Sequence, residues 1–228
     1  MKNNQKVGAI IVAAGRGERM DGVDKMFAPL AGEPVLARVV SVFEACSLIS
    51  QIVIVLSEHN LEQGKQLVAQ EGFSKVTDIC RGGKLRQDSV AAGLKLLKDS
   101  SWVVVHDGAR PLVTVALIEA GLQAAKESGA AVAAVPVADT IKVAGDDRFV
   151  QGTPPRQHLW AVQTPQVFRF DIITQAYREI KGEVTDDASL VERLGCRVKL
   201  FMGSYDNIKI TNANDMALAK IIWQKHGA

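Results

Sequence analysis

The chain has 228 residues, 47% hydrophobic, 5% aromatic and 23% charged, and its 27 Lys and Arg against 25 Asp and Glu leave a formal net charge of +2. This is an ordinary globular composition, long enough to bury a continuous core, and it excludes collagen-like, disordered and small disulfide-scaffold classes. The near balance of charge predicts neither a nucleic-acid polymer nor an anionic membrane as partner, so any anion site must be local.

The N-terminal run Val7 to Ala14, preceded by Lys2 and Lys6, imitates a secretory signal, but the apolar part is only eight residues long. No stretch approaches the ~20 apolar residues that span a bilayer. Cys46, Cys80 and Cys196 form no metal-ligand spacing and no self-contained disulfide set, which predicts a reducing, cytoplasmic setting.

In chain order, strand-length apolar runs are predicted at Val7–Ala13, Gln51–Leu56, Val76–Cys80, Trp102–His106 and Ala131–Val137, with helical periods between them at Val35–Cys46, Asn60–Glu71, Gln87–Lys98 and Val115–Ser128. Unbroken Val/Ile runs predict strands buried on both faces. Their alternation with helices predicts right-handed crossovers, hence a doubly wound α/β fold with a mainly parallel sheet. The rhythm breaks at Asp139–Trp160, where short β-like pieces flank Gly145-Asp-Asp147, and this predicts a protruding β-arm. A helix near Arg169–Lys181, a second at Asp186–Leu194, a strand at Arg197–Met202 and a last helix at Asn212–Lys225 complete a single domain over residues 1–228.

Ligands of such sheets bind beyond the carboxyl ends of the strands, which directs attention to Ala14–Lys25, Arg81–Arg86 and Asp107–Arg110. The first of these opens a connection that runs to about Gly32, far longer than the ~2–6 residues usual after a strand. Its glycines, Gly15 and Gly17, would let backbone N–H groups approach a phosphate. Arg16, Arg19 and Lys25 could converge on a polyanion there, but Glu18, Asp21 and Asp24 make the segment locally neutral. Composition therefore leaves a phosphate loop and a solvated turn both open. A dinucleotide fingerprint fails at Met20, and Ser57 rather than an acid follows the second strand, which argues against a nicotinamide-dependent dehydrogenase.

An ordered set of motifs narrows the choice. Ala13-Ala-Gly-x-Gly-x-Arg-Met20 with a lysine soon after, Gly82-Gly-x-x-Arg-x-Asp-Ser89, His106-Asp-Gly-Ala-Arg-Pro111, Asp139-Thr140, Gln163-Thr-Pro-Gln166 and Asp206-Asn-Ile-Lys-Ile-Thr211 follow one another along nearly the whole chain. Each is modest alone. Together they resemble the 2-C-methyl-D-erythritol 4-phosphate cytidylyltransferase family of the non-mevalonate isoprenoid pathway, whose fold is a Rossmann-like nucleotidyltransferase domain.

That resemblance implies transfer of CMP from CTP to a small polyol phosphate with Mg²⁺ and release of pyrophosphate. It implies that Arg19 and Lys25 stabilise the α-phosphate in the transition state and that Gly15 and Gly17 admit the triphosphate. Ala13, Ala14, Gly83, Arg86 and Ser89 would lie on the nucleotide side. Asp107 would hold a substrate hydroxyl or a metal ion, and Arg110, Thr164 and Thr185 would lie beside the acceptor. Arg156 and Lys209 would orient the acceptor phosphate, and the 139–160 arm would carry Thr140 and Arg156 to the site of a second subunit in a homodimer. His106 is read as structural, with its ring packed under the sheet end.

The closest alternative is ribitol 5-phosphate cytidylyltransferase, which shares several of these motifs. A non-catalytic nucleotide-binding regulatory subunit is the alternative of another class, although Arg19, Lys25, Asp107, Arg156 and Lys209 are all retained. The chain departs from the family pattern at Asp24-Lys25-Met26, where proline commonly precedes the lysine and glutamine follows it. Loss of the proline removes a backbone restraint, so the resting geometry of the loop is the point the sequence leaves open. A chain of this length also has no room for the second pathway enzyme fused to this one in some bacteria.

Overall fold

The computed structural model describes residues 5–15, 19–20 and 23–226. Seven strands form the central sheet: β1 Val7–Ala13, β2 Gln51–Leu56, β3 Val76–Arg81, β4 Trp102–Asp107, β5 Ala130–Pro136, β6 Trp160–Arg169 and β7 Lys199–Met202. Their order across the sheet is β7-β5-β6-β4-β1-β2-β3. β6 runs antiparallel to both its neighbours, and every other pairing is parallel.

Burial explains the strand-forming runs. Ile52, Ile54 and Leu56 of β2 enter one apolar cluster and Val53 and Val55 enter the other, so side chains alternate between two covered faces and no polar position is needed. The helices α1 Val35–Ala45, α2 Leu61–Glu71, α3 Arg86–Leu94, α4 Val115–Ala125, α5 Phe170–Glu179, α6 Asp187–Arg193 and α7 Ala213–His226 supply the covering layers. The face carrying Val7, Ala9 and Ile11 packs against α1, α4 and α7 through Val39, Phe43, Ile118 and Ala219. The opposite face, with Ile10, Val103 and Val105, meets α3, α5 and α6 through Val90, Ile173 and Val191.

Helix ends are set by local chemistry. The Thr114 hydroxyl accepts from the Leu117 N–H at the start of α4, and Gly72, with φ +67°, closes α2 in a left-handed cap. α3 ends at Leu94, earlier than the sequence pattern predicts. Beyond it the Gln51 amide takes over the backbone, donating to the Leu96 carbonyl at 3.3 Å and accepting from the Lys98 N–H at 3.2 Å.

The strand β6 is the main departure from the sequence-based reading, which placed no strand there. Its Gln163-Thr-Pro-Gln166 core carries none of the apolar alternation of a strand. The two amides are buried because each is hydrogen-bonded: Gln163 Nε2 donates to Ser204 O at 2.9 Å, and Gln166 Nε2 donates to Asp186 Oδ2 at 2.9 Å. Within residues 139–160, Val143–Ala144 pairs antiparallel with Val150–Gly152.

The long first connection contains two short ribbons, Arg19–Met20 with Val23–Asp24 and Pro29–Leu30 with Glu33–Pro34. Its far end is tied down by Arg38, a nearly buried side chain of α1 that donates to the Leu30 and Ala31 carbonyls and lies 3.9 Å from the Trp223 ring of α7. No helix among the described residues is long and apolar enough to cross a membrane.

Candidate active site

The carboxyl edges of β1 and β4 lie side by side at the centre of the sheet, with Val12 opposite Asp107. β2 and β3 lead away on one side of this point, while β6, β5 and β7 lie on the other, so the edge opens into a crevice there. Because β6 is antiparallel, its early residues arrive at this same edge. Gln166 lies opposite Val105, and two residues earlier the Thr164 hydroxyl accepts from the Asp107 N–H at 3.0 Å.

Asp107 is the hub. It is only 7% exposed, and its Oδ1 accepts from Arg86 Nε at 3.0 Å while its Oδ2 accepts from Lys209 Nζ at 2.8 Å. Burial works against a carboxylate, but the charges of Arg86 and Lys209 outweigh it and hold the Asp107 pKa well below the usual range. Arg86 forks: its second arm donates to Asp187 Oδ2 at 2.7 Å, and the other Asp187 oxygen accepts from the Tyr177 hydroxyl. Desolvation opposes the guanidinium charge, but Asp187 and Asp107 together raise its pKa above the normal value. Two carboxylates thus hold one arginine rigid.

Lys209 reaches Asp107 because its neighbours are anchored. The Ile210 N–H donates to Ala109 O at 2.8 Å with the Ile210 side chain fully buried, and Arg110 Nη1 donates to Asn207 O at 2.7 Å. The sequence setting of Lys209 between two isoleucines is therefore a true positional signal. Lys25 joins from the first loop, where Nζ donates to the Ile210 carbonyl at 3.1 Å. Burial first, and then the neighbouring Lys209, lower the Lys25 pKa. Asp24, beside it, anchors the backbone, since its Oδ1 accepts from the Met26 N–H at 2.9 Å and its Oδ2 from Asn60 Nδ2 at 2.8 Å. The carboxylate ties the loop where a proline restraint is missing.

A cavity of about 440 Å³ opens over this cluster, within the size range of small-molecule sites. Arg86, Asp107, Arg110, Thr164, Thr185 and Lys209, all selected from the sequence, line it together. Arg86, expected on the nucleotide side, has its side chain here with the acceptor-side residues. Gln166, Ser189 and Glu192 also line it, and Asp187 and Tyr177 brace it from behind; none of these five was selected from the sequence. The doubled acid Asp186-Asp187 at the start of α6 was the available signal, since a fully buried aspartate demands a charged or hydrogen-bonded partner.

The glycine side is built by close packing. A Cβ on Gly82 would fall 2.3 Å from the Cβ of Ala14, and one on Gly83 would fall 2.2 Å from that of Asp88, so these glycines bring the β3 turn against the first loop and the start of α3. Ser89 is buried with its hydroxyl engaged, accepting from Gly83 N–H at 3.2 Å and donating to Leu85 O at 3.3 Å. Ala13 ends β1 as a buried residue, and around Gly15 the space is open. Gly17 and the Arg19 side chain lie outside the described residues.

Thr140 and Arg156 are not among the residues lining this cavity. Both are exposed on the arm, where Arg156 Nη1 donates to Ala138 O at 2.7 Å. His106 is fully buried against Phe43 with ring centroids 5.2 Å apart, and burial lowers its pKa to about 4, so it is neutral at physiological pH. Among the described residues no group of three or more His, Cys, Asp and Glu side chains could hold a metal ion. Asp107, a metal candidate from the sequence, instead has both oxygens on cations.

A doubly wound sheet with a glycine loop after β1 and a cation-lined cavity at the carboxyl edge defines the nucleotidyltransferase class. The chain matches the family model described as IspD, 2-C-methyl-D-erythritol 4-phosphate cytidylyltransferase, over residues 7–225, and it belongs to that family. It is similar to the 2-C-methyl-D-erythritol 4-phosphate cytidylyltransferase of Dehalococcoides mccartyi, with 54% identity covering 97% of this chain and 98% of the relative. The enzyme of the same description from Pelotomaculum thermopropionicum is 48% identical over 95% of this chain and 94% of its own. Among solved structures, the 4-diphosphocytidyl-2C-methyl-D-erythritol synthase of Anaerococcus prevotii superposes with a TM-score of 0.86 at 29% identity, covering 96% of each chain.

Proposed function

We propose that this protein transfers CMP from CTP to 2-C-methyl-D-erythritol 4-phosphate, forming 4-diphosphocytidyl-2-C-methylerythritol and pyrophosphate. The observation that carries the reading is the cavity in which Arg86, Arg110 and Lys209 surround the Asp107 carboxylate. Family membership favours methylerythritol phosphate over ribitol 5-phosphate and catalysis over a silent regulatory subunit.

The acceptor is a phosphate monoester, whose second pKa near ~6 leaves it largely ionised at neutral pH. It needs no general base, and the buried, neutral His106 is not placed to act as one. An acceptor phosphate oxygen attacks the α-phosphorus of CTP, the bond to the bridging oxygen of the β-phosphate breaks, and pyrophosphate leaves with the electron pair. The barrier is the approach of one anion to another, so this chain's contribution is neutralisation and in-line positioning. Arg19 and Lys25 act at the α-phosphate, while Lys209 and Arg110 hold the acceptor.

Asp107 does not serve as a free anion, because it keeps Arg86 and Lys209 in place. A divalent cation, Mg²⁺ in this reading, would supply charge neutralisation on the triphosphate. In this reading the ion would be held largely by the triphosphate rather than by a protein cage. The arm, with Thr140 and Arg156 exposed, completes the site of a second subunit in a cytoplasmic homodimer.

The deciding experiment measures pyrophosphate release with CTP and Mg²⁺, supplying methylerythritol 4-phosphate and ribitol 5-phosphate in separate reactions. Release with the first alone is expected. Preference for ribitol 5-phosphate, or no release with either, would overturn the assignment.

A further inference from the structure

His106 and Thr164 meet where β6 crosses the end of β4, and their partners fix the direction of each proton between them. The Asp107 backbone N–H can only donate, so the Thr164 hydroxyl oxygen, 3.0 Å away, accepts from it. The Arg110 carbonyl can only accept, so His106 Nε2, which faces it at 3.2 Å, must carry a proton; a bare nitrogen there would set two lone pairs against each other. The ring is fully buried against Phe43, and the Arg86 and Arg110 charges nearby oppose a second proton. A neutral ring protonated at Nε2 has a bare Nδ1. That nitrogen lies 3.1 Å from Thr164 Oγ1, so the hydroxyl proton is donated to it. Thr164 is a lining residue of the cavity, and its hydroxyl, with both of these contacts made, has one lone pair left and no proton to offer.

We infer that His106 makes Thr164 an acceptor-only group, and that its remaining lone pair takes a hydroxyl proton from the polyol chain of the acceptor rather than a phosphate oxygen of either substrate. The inference rests on the proposed polyol-phosphate reading of the cavity. A phosphate oxygen at that point would meet an oxygen with no proton and be repelled. Phosphate is therefore directed to Arg110 and Lys209, and the hydroxylated carbon chain to Thr164. His106 touches no substrate; it is a positioning residue that sets the polarity of one that does. The sequence identifies the histidine as structural, but only the two opposed contacts of its ring show that it also polarises the wall.

The tautomer can be read from the full-length protein carrying isotopically labelled histidine, by long-range proton–nitrogen correlation at neutral pH. Assignment comes by elimination with His59→Gln, His158→Gln and His226→Gln. His106 is expected with Nε2 protonated and Nδ1 bare; a proton on Nδ1 overturns the proposal whatever the activity. In kinetics, Thr164→Val is expected to raise KM for methylerythritol phosphate by about tenfold, the scale of one hydrogen bond, with KM for CTP changed by less than about twofold. Thr164→Ser, which keeps the hydroxyl, should restore both. Equal rises in the two KM values, or no recovery with serine, would show a packing role and overturn the proposal. No turnover of the unaltered protein with this acceptor would overturn the functional reading and the polyol partner with it, while the tautomer measurement would still decide the polarity of Thr164.

Discussion

The cavity wall and the β-arm differ in where their interactions end. In the wall, the Asp107 carboxylate, the Arg86 guanidinium and the Lys209 ammonium are paired within the chain, and Tyr177 and Asp187 hold the arginine from behind. In the arm, Thr140 and Arg156 are exposed, and Phe149 and Val150 show 75% and 59% of their surface to solvent. A region whose charges are satisfied internally is preorganised for a ligand. For the arm, which displays apolar and cationic groups outward, we propose contact with another surface.

The largest expected effect tests whether the wall governs the chemistry through Lys25, which is bound to it at the Ile210 carbonyl. Lys25→Ala should lower kcat by about 10²- to 10³-fold, the cost of losing one donor at a developing charge; an unchanged kcat would detach the loop from the reaction. Next comes acid sensitivity of the wall. The unfolded chain binds the His106 proton near its ordinary 6.5, whereas the folded chain resists it until about 4. Protons therefore favour unfolding across that window, and stability should rise with pH through it by up to about 3 kcal/mol from this ring. Urea midpoints at about pH 4.5 and about pH 7 should differ more for the native protein than for His106→Asn.

Lys209→Ala should raise KM for the polyol phosphate by about tenfold with little change for CTP, as expected when one charge-assisted contact to the acceptor is lost. Equal effects on both would move Lys209 away from the acceptor. The arm is tested by mixing. If Arg156 serves the partner's site, then combining Arg156→Ala chains with Lys25→Ala chains, each impaired alone, should restore about a quarter of native activity, because half the dimers are mixed and each holds one intact site. No recovery would confine Arg156 to its own chain. The smallest effect is Phe149→Ser, which should weaken self-association in sedimentation while changing unfolding free energy by less than about 0.5 kcal/mol.

Much of the fold was legible because parallel strands covered on both faces leave an unmistakable mark. The runs at Val7–Ala13 and Gln51–Leu56 are strands with those same bounds. β6 was not legible, since its centre is polar and contains a proline; it is a strand through its pairing with β4 and β5, and its buried amides are satisfied by Ser204 and Asp186. Site residues divide in the same way. Lys209 and Asp107 could be found from motif and flanking pattern, and Asp187 left a trace in its doubled acid, whereas Tyr177, far along the chain from Arg86, left none.

The sequence by itself determined the layered α/β class, the family and the cations that a phosphorylated ligand requires, because apolar periodicity and ordered motifs are local properties of a chain. The tertiary structure decided how those charges are shared. It placed an antiparallel strand against β4, gave Asp107 two cationic partners, used Asp24 to tie down the lysine loop and set the Thr164 hydroxyl beside His106. Each of these depends on groups distant in sequence meeting within hydrogen-bond reach, and only the folded sheet brings them there.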